Sequence, residues 1–363
     1  MKVQWRSLDW SLLGAVGILI LVSGVMLFSL NQLVGGGAGR FEKQLGFILA
    51  GIVVLCVASQ FNYRKFLQYA YLNYLGWFVM LVLLLFFGTT IRGTTGWFQF
   101  AGMSVQPVEF AKLAFILAAA RFLADRSFEM ERWKTVVRYG GLLLGYVALI
   151  LLQPDLGSVV VLVGTATVMG LITTIRPRQL LLLGTIAVTL GALSWFFYLG
   201  DYQKNRLLTF IDPQRDPLRS GYNVTQSVIS VGSGQWFGRG LGLGPQSQLQ
   251  FLPERETDFI FAVIAEELGF IGAGVVIVLF AFIIWRLWRS SRHLTDDSAR
   301  YLVVGYCSLL FGQVLINIGM NLGIMPVTGI PLPFISAGGS SLLAMMLGLG
   351  IVLNATSQSV RKS

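Results

Sequence analysis

The chain is poor in the side chains that soluble enzymes use most. Only 12% of its 363 residues are charged, against 55% hydrophobic, whereas a soluble domain carries about a quarter charged residues. A water-facing surface cannot be built from so few. Histidine occurs once, as His293 in a loop between two apolar runs, which excludes a Ser-His-Asp triad or a histidine-based zinc site on the opposite face. The two cysteines, Cys56 and Cys307, fall inside apolar runs, where they behave as small apolar residues and build no disulfide framework. No Walker motif is present, so ATP-driven transport has no support. The formal net charge of +10 comes from basic residues dispersed among loops, which excludes a contiguous nucleic-acid-binding domain and points to membrane topology instead.

What the chain has is apolar sequence in blocks of about twenty residues, the length a helix needs to cross roughly 30 Å of hydrocarbon. The blocks fall at 10–30, 44–60, 69–88, 107–123, 139–152, 156–174, 179–199, 258–285, 301–324 and 338–356. The first follows Lys2 and Arg6, but it is long for a signal-peptide core and has no small-x-small cleavage site, so it is kept as a helix. The expected fold is therefore all-α: a polytopic integral membrane protein of about ten transmembrane helices. It forms a single domain over 1–363, with one large extracytoplasmic loop, 200–257, between helices seven and eight. An even number of crossings puts both termini on one side. With the termini inside, inner segments hold 17 Lys and Arg, while the short outer loops hold only Arg40, Lys43 and Arg92. The excess of basic residues marks the cytoplasmic side, and long loops vote weakly.

The long loop is functional rather than disordered, since it carries Phe210, Tyr222, Trp236, Phe237 and Phe251 between polar residues, which predicts short amphipathic pieces on the outer surface. Its run Gly238-Arg-Gly240-Leu-Gly242-Leu-Gly244 lacks the G-x-G-x-x-G offsets and any flanking βαβ pattern. It reads as flexible turns, with no nucleotide cofactor.

Carboxylates are what remains for chemistry, and ionisable groups in or beside spans mark functional sites by default. Glu109 and Lys112 stand three apart on one face of helix four, within ion-pairing reach, as a structural pair or as catalytic groups. Asp155 opens helix six and Asp258 opens helix eight; both sit where aspartate serves as a helix cap. Glu266 and Glu267 follow on different faces, so at least one needs an interior partner. Helices four, six and eight all descend from the outer face, which places Glu109, Asp155 and Asp258 at one level. The irregular stretches Pro326-Val-Thr-Gly-Ile-Pro-Leu-Pro333 and Ser336-Ala-Gly-Gly-Ser-Ser341 lie there too, and such backbone is tolerated only against protein or a wet cavity.

Taken together, these segments resemble the SEDS family of polytopic peptidoglycan glycosyltransferases, its elongation branch more than its division branch. The carriers are Gln106-Pro-Val-Glu-Phe-Ala-Lys112, Gln153-Pro-Asp-Leu-Gly-Ser158, Arg206 with Phe210-Ile-Asp-Pro213, and Gln226-Ser227 leading to Gly232-Ser-Gly234. The most specific is Leu252-Pro-Glu-Arg-Glu-Thr-Asp-Phe-Ile-Phe-Ala262 followed by Glu266-Glu-Leu-Gly269, with Pro326 to Ser341 last. Val108, Asn223 and Ala337 depart from the usual Ser, Gln or His, and aromatic, and none of them removes a charged group.

The resemblance implies polymerisation of lipid II, the undecaprenyl-pyrophosphate-linked disaccharide pentapeptide, at the outer face of a bacterial cytoplasmic (inner) membrane. Among the loop cations Lys204, Arg206, Arg215, Arg219, Arg239 and Arg255, arginine suits pyrophosphate oxygens best; headgroup contact is the plainer use of Arg206. The candidate substrate-binding set is Arg206, Gln226, Ser227, Arg255 and Lys43. By the resemblance Asp258 is the general base of an inverting single displacement, Glu109 and Lys112 hold the cavity and its field, and Asp155 shapes the wall. Cationic groups or a divalent cation, magnesium or manganese, stabilise the departing pyrophosphate. The implied partner is a class B penicillin-binding protein, since no Ser-x-x-Lys transpeptidase domain is present, alongside the elongation machinery and membrane lipids. The alternative is a lipid II flippase without covalent chemistry, which would call for access from both faces at a midplane site between repeats.

Overall fold

The computed structural model describes residues 8–31, 38–91, 93–100, 103–197, 200, 204, 206, 208–210, 212 and 220–360. Of the residues singled out above, Lys2, Arg6, Arg92, Ile211, Pro213, Arg215 and Arg219 lie outside the described residues.

Long apolar stretches leave the backbone no water to bond, so each closes its own hydrogen bonds as a helix. In chain order these are α1 (Trp10–Asn31), α2 (Ala38–Gln60), the short α3 (Tyr63–Gln68), α4 (Ala70–Phe87), α5 (Pro107–Arg126), α6 (Trp133–Leu152), α7 (Leu156–Leu171) and α8 (Pro177–Phe197). After the loop pieces α9 (Ser220–Ser233) and α10 (Pro245–Gln248) come α11 (Ile260–Arg292), α12 (Asp297–Asn321) and α13 (Gly339–Val360). Eight of them, α1, α2, α4, α6, α8, α11, α12 and α13, are long and apolar enough to cross a membrane. The other two expected spans are present as helices that miss this measure. α7 has 16 residues, and α5 carries Glu109, Lys112, Arg121, Asp125 and Arg126.

That charge does not push α5 to the surface. Nearly all of it from Pro107 to Leu123 is buried, and it packs on α4, α6, α7, α12 and α13. α12 is its partner at the centre, touching α5, α7, α11 and α13. The polar groups of interest stand on or beside these two helices.

One element departs from the all-helical expectation. Between α4 and α5 a small antiparallel sheet forms from β1 (Thr89–Ile91), β2 (Thr94–Phe100) and β3 (Met103–Val105), in the order β1-β2-β3. Threonine and aromatic residues favour the extended chain, and Gly93, at φ 79°, closes the first hairpin. The sheet delivers the chain to α5, where the backbone N–H of Gln106 bonds Ser340 Oγ at the head of α13 (3.0 Å).

α11 is interrupted. Gly269 has φ 68° and ψ −167°, a conformation easy only for glycine, and the interruption frees backbone groups on both sides. The loop fills them. Arg239 and Gly240 donate N–H to the carbonyls of Glu266 (2.9 Å) and Glu267 (3.0 Å), while Phe270 and Ile271 donate to those of Gln235 (2.7 Å) and Trp236 (3.2 Å). Gly238, at φ 82°, fits so tightly that a Cβ there would stand 2.1 Å from the Glu267 carbonyl oxygen. The start of the glycine run, expected as flexible turns, is thus an ordered plug in a broken helix.

Candidate active site

The turn before α11 sets the position of Asp258. Thr257, Asp258 and Phe259 all donate N–H to the Glu254 carbonyl, at 3.1, 3.1 and 3.2 Å. This winds the chain one residue further than expected. The cap of α11 is Phe259 and its first residue Ile260, so Asp258 neither opens the helix nor holds the capping position.

The backbone around Asp258 is clamped from two sides. On one, Asn317 and Asn321 of α12 each donate a side-chain N–H to the Asp258 carbonyl at 3.0 Å. Asn317 also reaches the Ile330 carbonyl (2.8 Å), and Asn321 Oδ1 accepts from Ala262 N–H (3.0 Å). On the other, Ser336 Oγ donates to the Thr257 carbonyl (2.5 Å), and Ala337 N–H donates to that of Glu256 (2.8 Å). Asp258 as a residue is partly exposed, and its carboxylate lies beside Gly329, where an added Cβ would stand 3.6 Å from Oδ2.

The turn at Thr328–Ile330 gathers the other candidates. Arg206 points Nη1 at the Thr328 carbonyl from 3.5 Å. Gly157, in the first turn of α7, lies so near that a Cβ would be 3.0 Å from side-chain atoms of both Thr328 and Ile330. Two residues earlier Asp155 caps α7, accepting from Ser158 N–H (3.0 Å) and Ser158 Oγ–H (2.8 Å). Capping is what its carboxylate does here.

Glu109 and Lys112 form a buried ion pair at 2.8 Å, 3% and 1% exposed. Gln313 Nε2 approaches Glu109 Oε2 at 3.4 Å. Gln313, Asn317 and Asn321 follow at four-residue intervals on one face of α12, all fully buried. Three amides thus line the way from the ion pair to the backbone of Asp258.

The remaining candidates divide. Ser227 is buried on α9 and donates to the Asn321 carbonyl (2.8 Å), so it braces the clamp. Gln226, its neighbour, is partly exposed. Arg255 turns inward, 7% exposed, and donates to the carbonyls of Ser247 and Gln248 at the end of α10, a fixed role that its place in a cationic loop concealed. Lys43 is exposed on α2, one turn before Phe47, whose ring packs on Gly339 at the head of α13. Glu266 and Glu267 are 0% and 1% exposed. Glu266 accepts from the N–H groups of Gln246 (2.8 Å) and Ser247 (3.0 Å), and Glu267 from Ser29 Oγ–H (2.7 Å) and Gln248 Nε2–H (2.9 Å).

Asn317, Asn321 and Gln313 are the residues that reading ionisable groups alone passed over. Their spacing was visible, since buried amides at i, i+4 and i+8 of an apolar helix need partners as charges do.

A bundle with eight helices long and apolar enough to cross a membrane defines a multi-pass membrane protein. The family model described as "Cell cycle protein", FTSW_RODA_SPOVE, matches residues 5–361, and the chain belongs to that family. It is 36% identical over 359 residues to peptidoglycan glycosyltransferase MrdB of Escherichia coli (strain K12), covering 97% of this chain and 95% of that one. Stage V sporulation protein E of Bacillus subtilis (strain 168) is 36% identical over 321 residues, 88% of this chain and 87% of that one. Among solved structures, a chain described under "Structural coordination of polymerization and crosslinking by a peptidoglycan synthase complex" superposes with TM-score 0.85 at 30% identity, covering 98% and 99% of the two chains. The Thermus thermophilus rod shape determining protein RodA superposes with TM-score 0.73 at 29% identity, covering 97% of each chain.

Proposed function

We propose that this chain, a peptidoglycan glycosyltransferase of the elongation type, polymerises lipid II with Asp258 as general base. The observation that carries the reading is the treatment of Asp258: side chains of α12 and Ser336 hold the backbone of its turn, while the residue stays partly exposed with its carboxylate beside Gly329, in the turn that Arg206 reaches at Thr328. The 4-hydroxyl of one disaccharide attacks the anomeric carbon of the other. Its proton passes to Asp258, and the α-linked pyrophosphate leaves toward Arg206, with inversion to a β-linkage. Glu109 and Lys112 form a fixed dipole at the end of the row of α12 amides, and Asp155 holds the head of α7 against the Thr328–Ile330 turn.

A divalent cation, magnesium or manganese, fits this arrangement as such ions commonly meet phosphates, through one or two carboxylates and the substrate itself. Among the described residues no group of three or more His, Cys, Asp or Glu forms a cage. Asp258 is the residue that would hold the ion, which would neutralise charge on the pyrophosphate.

Orientation follows from charge: the Asp258 end faces outward and the termini lie in the cytoplasm of a bacterial cell. Reporter fusions after Arg132 and Ser291 then read as cytoplasmic, and one near residue 216 as external; the reverse pattern removes the site from lipid II. The partner is a class B penicillin-binding protein, which cross-links what this chain makes. Purified chain incubated with purified lipid II, with and without that partner, should yield glycan strands. Transbilayer movement of lipid II without polymer would instead favour the flippase.

A further inference from the structure

The end of α11 opposite to Asp258 carries a second feature that the glycosyl transfer does not use. A cleft of about 470 Å³ opens there, lined by Trp285, Trp288, Arg289, Arg292 and His293. Positions 285, 288, 289 and 292 fall on one helix face. Both indoles are open, 49% and 43% exposed, and the Arg289 guanidinium lies over the Trp285 ring, 5.4 Å from its centroid. This contact fixes the cation at the cleft while leaving its N–H edge available.

The charges in this turn are not alike. Arg286 is engaged by Asp9 at 2.6 Å, tying the start of α1 to α11. Among the described residues neither Arg289 nor Arg292 has a carboxylate partner. Cations near a helix C-terminus offset its dipole wherever they point, but that effect calls for neither two exposed indoles nor a concave surface between them. The height also matters. Beyond its break at Gly269, α11 runs on to Arg292, about 35 Å of helix against roughly 30 Å of hydrocarbon, so its last turns stand among headgroups.

We propose that this cleft binds the phosphate of an anionic phospholipid, held by Arg289 and Arg292 with the glycerol region against Trp285 and Trp288. Guanidinium groups meet phosphate oxygens in pairs, and indoles rest where apolar chains give way to headgroups. An anionic lipid answers both, whereas free phosphate answers only the first.

The test is native mass spectrometry of the purified full chain in detergent, titrated with phosphatidylglycerol or with phosphatidylcholine of the same chain length. Wild type should retain one phosphatidylglycerol in preference to phosphatidylcholine. Arg289→Gln with Arg292→Gln should weaken that retention about thirtyfold, from roughly 1 kcal/mol for each basic residue at an anionic surface. Arg289→Lys with Arg292→Lys keeps the charge, and with it the topology; it should fall between the two, which keeps the test readable if the Gln pair inserts poorly. Equal retention of the two lipids by wild type, or wild-type retention by both double variants, overturns the assignment. Binding of inorganic phosphate alone that displaces the lipid at equal concentration overturns it in favour of a soluble anion.

Discussion

Asp258 and the pair Glu266–Glu267 lie within ten residues of one another on the same stretch of chain and receive opposite treatment. For Asp258 the surroundings hold the main chain of its turn, and the residue stays partly exposed. For the two glutamates they take the carboxylates themselves: backbone N–H groups, a serine hydroxyl and a glutamine amide meet the oxygens, and little of either side chain reaches the surface. A buried charge is retained when hydrogen bonds replace its water. The difference teaches that carboxylates near a span do not form one class. Buried carboxylates whose oxygens meet loop donors fasten the fold, whereas Asp258 keeps partial exposure on a main chain held by its neighbours.

Substitution at Asp258 draws this contrast most sharply. Asp258→Asn keeps the shape and every backbone bond, so stability should stay near wild type while polymerisation of purified lipid II falls by about 10²–10⁴-fold, the usual worth of a general base. Normal turnover by a stable Asp258→Asn protein would break the comparison outright. Glu109→Ala belongs on the other side of it, because it strands Lys112 in the core and should cost about 3–5 kcal/mol. Thermal stability and activity should then fall together, and a stable but inactive protein would move Glu109 into the catalytic class. Glu266→Ala removes the acceptor for two N–H groups at the start of α10 and should cost about 2–4 kcal/mol. Residual activity should track the folded fraction; loss of turnover at unchanged melting temperature would show that the fastening role is wrong.

The smallest effect is expected from Asp296, a carboxylate with its oxygens engaged but lying near the surface at the far end. Burial opposes its ionisation, yet hydrogen bonds from Ser298, Tyr63 and Arg64 outweigh burial and hold it down at about 2. Its folded value thus lies below that of the unfolded chain, near 3.9. The stabilisation is therefore complete above about pH 4 and is lost as pH falls toward 2. Solvent screening limits it to about 1 kcal/mol. A thermal-shift series should show the acid-side drop between these values diminished in Asp296→Asn, and an unchanged drop would assign it to other groups.

Most of the helical framework was legible in the sequence because runs of apolar residues leave a buried backbone one local solution. The span expected at 301–324 is observed as Asp297–Asn321, and that expected at 179–199 as Pro177–Phe197. Boundaries slipped where charge stood inside a helix: α6 begins at Trp133 rather than 139, since Lys134 and Arg138 read as loop. The sheet from Thr89 to Val105 was missed although its threonine and aromatic content favours strands, because the segment was weighed only as a short connection. Within the site, the ion pair of Glu109 and Lys112 followed from spacing alone. The inward turn of Arg255 and the clamp by Asn317 and Asn321 did not, since each is decided by how the loop and α12 pack rather than by local pattern. The plug of α11 by residues 235–240 is the extreme case, with two glycines whose fit depends on each other.

That plug also bears on how the protein is made. The loop leaves the ribosome before α11 does, so residues 235–240 wait for a helix that has yet to appear. When α11 enters the bilayer, the break at Gly269 carries unbonded backbone groups with it, and each such group costs several kcal/mol in hydrocarbon. Seating of the loop relieves that cost by bonding Phe270, Ile271, Glu266 and Glu267. Insertion of α11 and docking of the loop are therefore favoured as a single step of biogenesis. A chain caught with α11 inserted and the loop undocked is the form that membrane quality control would meet.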